Sequence, residues 1–357
     1  MLLNSRLGVE VELLAPPGSD RSTLAALLAH RSGGSVEKFL FPDAEPSKVE
    51  GTELFHNLTT GFRVRDAEGV VVAWVVDDVT LQDDLERSAS PKSGWWRIVS
   101  DDRRLTALAA RFVDADADLP AAIKPLAELF DAAPEQGPGG MWRIRTDSGL
   151  PVAIAAPMPG ERERVAELVT APIEADHATA LAAMLEAATD LGFVAPAEGA
   201  THLHFDAGPI REARVFRRLV QLLHPLRAQL RDAFGTNPRC RRLGPWPEAL
   251  IETVETSGWD DLAWEDAAER LSEVPLTKYC DVNLFNVVNP PPEKDTIELR
   301  TLPVHLRAEP ILSVATLFAG FVAWAQGDAD LPVRHDLATV IRSLPITDTD
   351  LLDQLRR

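Results

Sequence analysis

Polar and apolar positions alternate in step at three widely separated places: Glu10-Val11-Glu12, His202-Leu203-His204 and Glu298-Leu299-Arg300. In a β-strand, two ionisable groups flanking one apolar residue project from the same face, and the apolar residue points the other way. Each run therefore predicts a strand with one polar face, and the three together predict a sheet that carries a polar reaction site. The runs lie roughly 90 to 190 residues apart, so a common site requires distant pieces of chain to become neighbours.

The pattern between these runs predicts further elements. Leu7 to Leu14 reads as a strand, and Pro16-Pro17-Gly18 turns the chain into a helix over Ser22 to Arg31, with Leu24, Leu27 and Leu28 on one face. Gly61 to Arg65 and Val70 to Val76 read as a hairpin around Asp66-Ala67-Glu68-Gly69. Gly94 to Val99 reads as a strand followed by a helix over Leu105 to Phe112, and His56-Asn57 as a turn. Pro134, Pro138 and two glycines within 131–140 predict a flexible surface loop inside one domain, ahead of Met141-Trp142-Arg143-Ile144.

Val165 to Val169 reads as a strand carrying Glu167, Ala178 to Leu191 as a helix and Ala200 to Phe205 as a strand. Val215 to Leu230 carries the apolar spacing of one long helix with a bend at Pro225. Asp281 to Val288 and Asp295 to Leu302 read as neighbouring strands joined through Pro290-Pro291-Pro292, and shorter helix signals begin near Pro332 and Thr347. Hairpins replace the regular alternation of strand and crossover helix, so the class is α+β with a mainly antiparallel sheet.

Composition narrows the partners. The chain has 357 residues, 45% of them hydrophobic, enough for a substantial core, and a formal charge of −19. That acidity argues against nucleic acid, whose phosphates need compensating positive charge, but not against ATP held by local arginines and divalent cations. Two cysteines, Cys240 and Cys280, and a start without basic and apolar signal regions predict a reduced, cytoplasmic protein. The uncharged run Ile311 to Ala325 is short for a membrane span and predicts a buried core helix, with no membrane contact.

The chemistry rests on combination. Glu10 and Glu12 present carboxylate oxygens suited to Mg²⁺ or Mn²⁺, although a solvated strand face shows the same alternation. Glu167 could complete oxygen coordination or make a surface ion pair. His202 and His204 could ligate a cation, hydrogen-bond a phosphate, or form a structural pair beside Asp206. Arg300 adds a planar donor fork for phosphate or carboxylate next to Glu298, although a salt-bridged surface pattern shows the same pair. Asn237, Arg239, Arg241 and Arg242 concentrate donors before Gly244-Pro245-Trp246-Pro247, as an anion site or a basic surface loop. Tyr279, Asn283 and Asn286 could orient substrate, Asn283 best because it lies between Val282 and Leu284. No GxxxxGK[ST], GxGxxG or GxSxG pattern is present, which lowers the common NTPase, dinucleotide-enzyme and hydrolase readings.

In order along the chain, Arg6-Leu-Gly-Val-Glu-Val-Glu12, Ala166-Glu-Leu-Val-Thr-Ala-Pro172, Thr201-His-Leu-His-Phe-Asp206 and Val282-Asn283 with Thr296-Ile-Glu-Leu-Arg300 resemble the amidoligase family of the carboxylate-amine ligase superfamily, related to glutamine synthetase. The resemblance implies a single catalytic domain over 1–357 with a curved, mainly antiparallel, glutamine-synthetase-like sheet flanked by helices. It implies metal ligation by Glu10, Glu12, Glu167, His202 and Glu298, and a substrate-organising role for His204. Arg300 would neutralise phosphate, and with His202, Arg241, Arg242 and Asn283 it makes up the expected nucleotide contacts. Thr170-Ala171-Pro172 is looser than the family's Ser-Pro form, which makes Glu167 the least secure of the ligands. Region 35–135 is poorly covered and stands as an insertion or a substrate- or partner-binding segment.

The implied reaction uses ATP and Mg²⁺ or Mn²⁺ to activate a carboxylate as an acyl phosphate, which an amine or ammonia converts to an amide. The substrate could be a small metabolite, a peptide or a protein. The alternative is a noncatalytic nucleotide- or protein-binding module that keeps the ligase-like fold. Neither the substrates nor the oligomeric state is written in the sequence.

Overall fold

The computed structural model describes residues 6–46, 54–146, 148–290, 295–330 and 336–345. In chain order its strands are β1 (Leu7–Leu14), β2 (Ser35–Pro46), β3 (Leu54–Arg65), β4 (Val71–Val76), β5 (Trp96–Ser100), β6 (Glu135–Gln136), β7 (Trp142–Arg145), β8 (Pro151–Pro157), β9 (Val165–Thr170), β10 (Ala200–Asp206), β11 (Val282–Asn283) and β12 (Thr296–Pro303). The chain forms two compact units, the first from Met1–Val11, Pro172–Glu186 and Glu198–Arg357, the second from Glu12–Ala171 and Ala187–Ala197.

In the first unit the strands run in the order β11-β12-β10-β1, each pair antiparallel. Leu7 stands opposite Phe205 and Val11 opposite Thr201, while Phe205 faces Ile297 across the next ladder. The apolar members of the alternation, Val9, Leu203, Phe205, Ile297 and Leu299, are buried. Phe318, on the helix Ala308–Gln326, stacks on Phe205 with ring centroids 4.7 Å apart. That helix is long and apolar enough to cross a membrane by length and composition, yet Ile311, Leu317, Phe318, Phe321 and Trp324 are buried within the protein.

In the second unit the strand order is β9-β4-β3-β5-β8-β7-β6, and β2 pairs along the whole of β3. The remaining edge of β3 is shared: its first half, His56 to Thr59, pairs with β5, and its second half, Phe62 to Arg65, with β4. Leu58, Ile98, Ile144 and Ala155 from the strands pack with Leu105, Ala109, Ile123 and Leu126 from the helices Arg103–Phe112 and Leu119–Leu129. The helix Arg21–Arg31 begins at Asp20, whose carboxylate accepts from the Ser22 backbone N–H at 2.9 Å.

Arg21 ties the second unit together. It is fully buried, and its guanidinium donates to the carbonyls of Thr60 at 2.9 Å, Arg162 at 2.8 Å and Val165 at 3.0 Å. Its Nη2 lies 3.7 Å from Asp77, which also pairs with Arg162. Burial pushes Arg21 down to about 10, a shift that Asp77 opposes and Arg162 reinforces, so the group stays charged at neutral pH.

The mixed helices and antiparallel sheet bear out the α+β reading, and four local expectations change. His56 and Asn57 are strand, not turn, because β2 and β5 flank them on both edges. The long helix over 215–230 is two helices, Ala213–Leu223 and Arg227–Phe234, since Pro225 lacks the N–H and crowds the preceding turn. The strand expected over Asp281 to Val288 stops after Asn283, whose side-chain oxygen accepts from the Phe285 N–H at 2.9 Å and starts a short helix, Phe285–Val288. The 131–140 loop contains the short strand β6. Pro291, Pro292, Pro332 and Thr347 lie outside the described residues.

Candidate active site

The first unit brings Glu10, His202, His204, Asn283, Glu298 and Arg300 onto one polar sheet face. Register does the placing: Glu10 stands opposite His202, His204 opposite Glu298 and Asn283 opposite Glu298. Directly opposed residues share a face, and alternation carries it along each strand. Between Leu203 and Thr201 the β10–β12 register slips, so that Arg300 and Thr301 together stand against His202. This bulge re-aims β12 beside the two histidines.

All six side chains are buried. His204 Nε2 lies 3.1 Å from Glu10 Oε1 and 3.9 Å from Glu298 Oε1. His202 Nδ1 lies 3.4 Å from Glu10 Oε2 and 3.5 Å from Glu298 Oε1. Arg300 Nη1 donates to Glu298 Oε1, and Asn283 Nδ2 donates to Glu298 Oε2 at 2.8 Å. Both oxygens of Glu298 are thus oriented by donors on β12 and β11.

The electrostatics follow from this packing. Burial raises the Glu298 carboxyl, but Arg300, and after it His204 and His202, overrides burial and brings the group down to about 2. Glu298 is therefore an anion at any physiological pH. Burial pushes His202 below its ordinary value, Arg300 pushes it further, and contact with Glu10 and Glu298 only partly offsets both. A neutral imidazole keeps a lone pair for a cation.

Glu10, His204 and Glu298 each offer one donor atom within 4.8 Å of the others. Two carboxylate oxygens and one imidazole nitrogen, buried and oriented, suit a divalent cation such as Mg²⁺ or, with nitrogen in the set, Mn²⁺. The sequence favours His202 as the histidine ligand; within the first unit the donor cluster uses His204.

The other predicted residues take simpler positions. Arg241, exposed, lies 3.1 Å from Glu198, and Arg242 stands over the Tyr279 ring at 5.6 Å. Asn237 donates to the Gly199 carbonyl at 3.0 Å, fastening that loop just ahead of β10. Glu12 and Glu167 belong to the second unit, Glu12 buried on β1 and Glu167 half-buried on β9 opposite Val76. Asp206 accepts from the Gly208 N–H at 2.9 Å and pairs with Arg6 at 3.4 Å.

Two residues of the site carry no role in the sequence reading. Thr296 Oγ1 lies 3.1 Å from His204 Nδ1 and fixes the ring from β12. Gly8 stands opposite His204, and a Cβ there would come within 3.2 Å of His204 Cβ. Both positions continue the alternation by one step, Gly8 before Glu10 and Thr296 before Glu298, which is the signal that could have found them. Gly8→Ala is expected to lower stability by about 1 kcal/mol through crowding of His204; a denaturant midpoint equal to wild type would contradict this.

Buried clusters of carboxylates, imidazoles and a guanidinium are the kind of arrangement that functional sites use to handle charged groups. The chain belongs to the family described as "Putative amidoligase enzyme", which it matches over residues 3–317. The class of chemistry attached to that family is ligation. No curated protein and no solved structure matches the chain.

Proposed function

We propose that the chain is an ATP-dependent carboxylate-amine ligase, of the superfamily related to glutamine synthetase and with a glutamine-synthetase-like catalytic sheet. The observation that carries this reading is the Glu10, His204 and Glu298 cluster with Arg300 against Glu298, in a chain of the amidoligase family. Glu10, His204 and Glu298 would hold Mg²⁺ or Mn²⁺, which supplies neutralisation of phosphate charge.

The substrate carboxylate oxygen bonds to the γ-phosphorus of ATP as the bond to ADP breaks, giving an acyl phosphate. The amine nitrogen then bonds to the acyl carbon, inorganic phosphate leaves, and the nitrogen releases a proton. Arg300, held beside Glu298, stabilises the negative oxygens of the transferring phosphoryl group through its fixed positive charge. Asn283 and Thr296 act as positioning residues, keeping Glu298 and His204 from reorienting as charge moves.

Calorimetry with ATP and Mg²⁺ tests the reading. Wild type is expected to bind ATP only with the metal present, and Glu10→Ala to weaken that binding more than about tenfold. Folded wild-type protein without metal-dependent ATP binding would refute it. Incubation with ATP, Mg²⁺ and mixed carboxylates and amines is expected to yield phosphate and a new amide mass in equal amounts; phosphate alone would point to hydrolysis.

A further inference from the structure

A second polar cavity of about 260 Å³ lies entirely within the second unit, lined among others by Thr59, Asp77, Gln82, Arg87, Arg97 and Arg162. Its lining carries three arginines against one aspartate, in a protein whose formal charge is −19. Underneath, Asp77 is shared between Arg162 and the fully buried Arg21, and Asp20 and Glu163 also offset Arg21. The positive character of the cavity therefore comes from the arginines of its lining and not from the layer beneath it.

The frame around the cavity is rigid. Arg162 donates to the carbonyls of Leu81 and Asp78, each at 2.7 Å, which fixes the chain that follows β4. Thr59 on β3 stands directly opposite Arg97 on β5, and Arg97 Nη1 donates to the Asn57 side-chain oxygen at 3.0 Å. Thr59 is fully buried, and its hydroxyl has no hydrogen-bond partner among the described residues. Buried hydroxyls are normally satisfied, so this one remains a donor for a group lodged at the floor. At Gly160 a Cβ would lie 2.4 Å from the Glu86 carbonyl oxygen. Only glycine admits that approach, which sets Arg87 at the wall.

We propose that this cavity is a binding site for a small molecule bearing an oxyanion, a carboxylate or a phosphate, with Arg87 and Arg97 as the contacting cations and Arg162 bracing the frame behind them. The site gives the 35–135 segment a ligand-holding role of its own, and it stands whether or not the chain proves to be a ligase. Its size suits a compact metabolite.

Protection of Arg87 and Arg97 from phenylglyoxal, read by peptide mass spectrometry on the full chain, tests it with succinate and with inorganic phosphate as separate probes. At least one probe is expected to slow modification of both arginines several-fold while leaving exposed Arg104 unaffected, and the effective probe names the oxyanion. Arg87→Ala, a change at an exposed side chain, is expected to weaken the effective probe about tenfold in protecting Arg97, and Thr59→Val to weaken it less. Equal modification with and without both probes, or protection of Arg97 undiminished in Arg87→Ala, would overturn the proposal.

Discussion

Glu298→Gln is expected to lose about 3 kcal/mol of stability and all metal-dependent ATP binding in one substitution. Glu298 and Arg300 are both buried and in direct contact. Removing one charge of a buried pair strands the other in a poorly solvating environment, typically at 3 to 5 kcal/mol, roughly the size of the whole effect expected here. Glutamine keeps the shape and can still accept from Asn283, so the loss reports charge and not volume. The double variant Glu298→Gln/Arg300→Met removes the stranded charge as well. It should recover much of the stability and none of the ATP binding. Denaturant midpoints and ATP calorimetry on the single and double variants separate these readouts. A single variant as stable as wild type would mean that the pair is solvated, and unchanged ATP binding would remove Glu298 from the proposed metal site.

The second large effect is expected at Arg21, in the second unit. Arg21→Met fills similar space but leaves the carbonyls of Thr60, Arg162 and Val165 without the bonds that Arg21 gives them. At roughly 1 kcal/mol per lost buried hydrogen bond, with Asp77 still held by Arg162, the loss sums to about 3 kcal/mol. Arg21→Lys should recover little, because one ammonium cannot span acceptors on three segments. The Arg21 guanidinium lies 4.6 Å from the Trp95 ring, and denaturant midpoints of wild type and variant read the loss. A midpoint within experimental error of wild type would show that solvent replaces these bonds and that the second unit does not depend on them.

What was legible in the sequence was the sheet of the first unit. Glu10, His202, His204, Glu298 and Arg300 alternate with apolar residues that must be buried, and period-two alternation names both the strand and its polar face. Less legible was β2, whose Phe39-Leu40-Phe41-Pro42 run lacks alternation and contains a proline. Among the described residues β2 pairs with β3 alone, which makes it an edge strand, where a missing N–H is tolerated. Asn283 looked like mid-strand because propensity is silent about a side chain that caps the next helix. Thr296 and Gly8 were hidden for another reason: a small or weakly polar residue gains meaning only when register shows what it faces. The second cavity was invisible because Thr59, Asp77, Arg97 and Arg162 come from separate strands and loops and form no motif.

The register of the first unit also governs when the site can exist. Glu10 and His202 stand 192 positions apart, and His204 and Thr296 another 92. Contacts of such separation close late, after local elements have formed. A chain emerging from the ribosome has Glu10 without its histidine strand until β10 appears, and lacks Glu298 and Arg300 until most of the protein has been made. Truncated products that end before β12 would therefore carry the acidic and histidine strands without the Glu298–Arg300 pair, and would expose the β10 edge that β12 covers. The molecule's chemistry and its protection from self-association are completed by the same late strand.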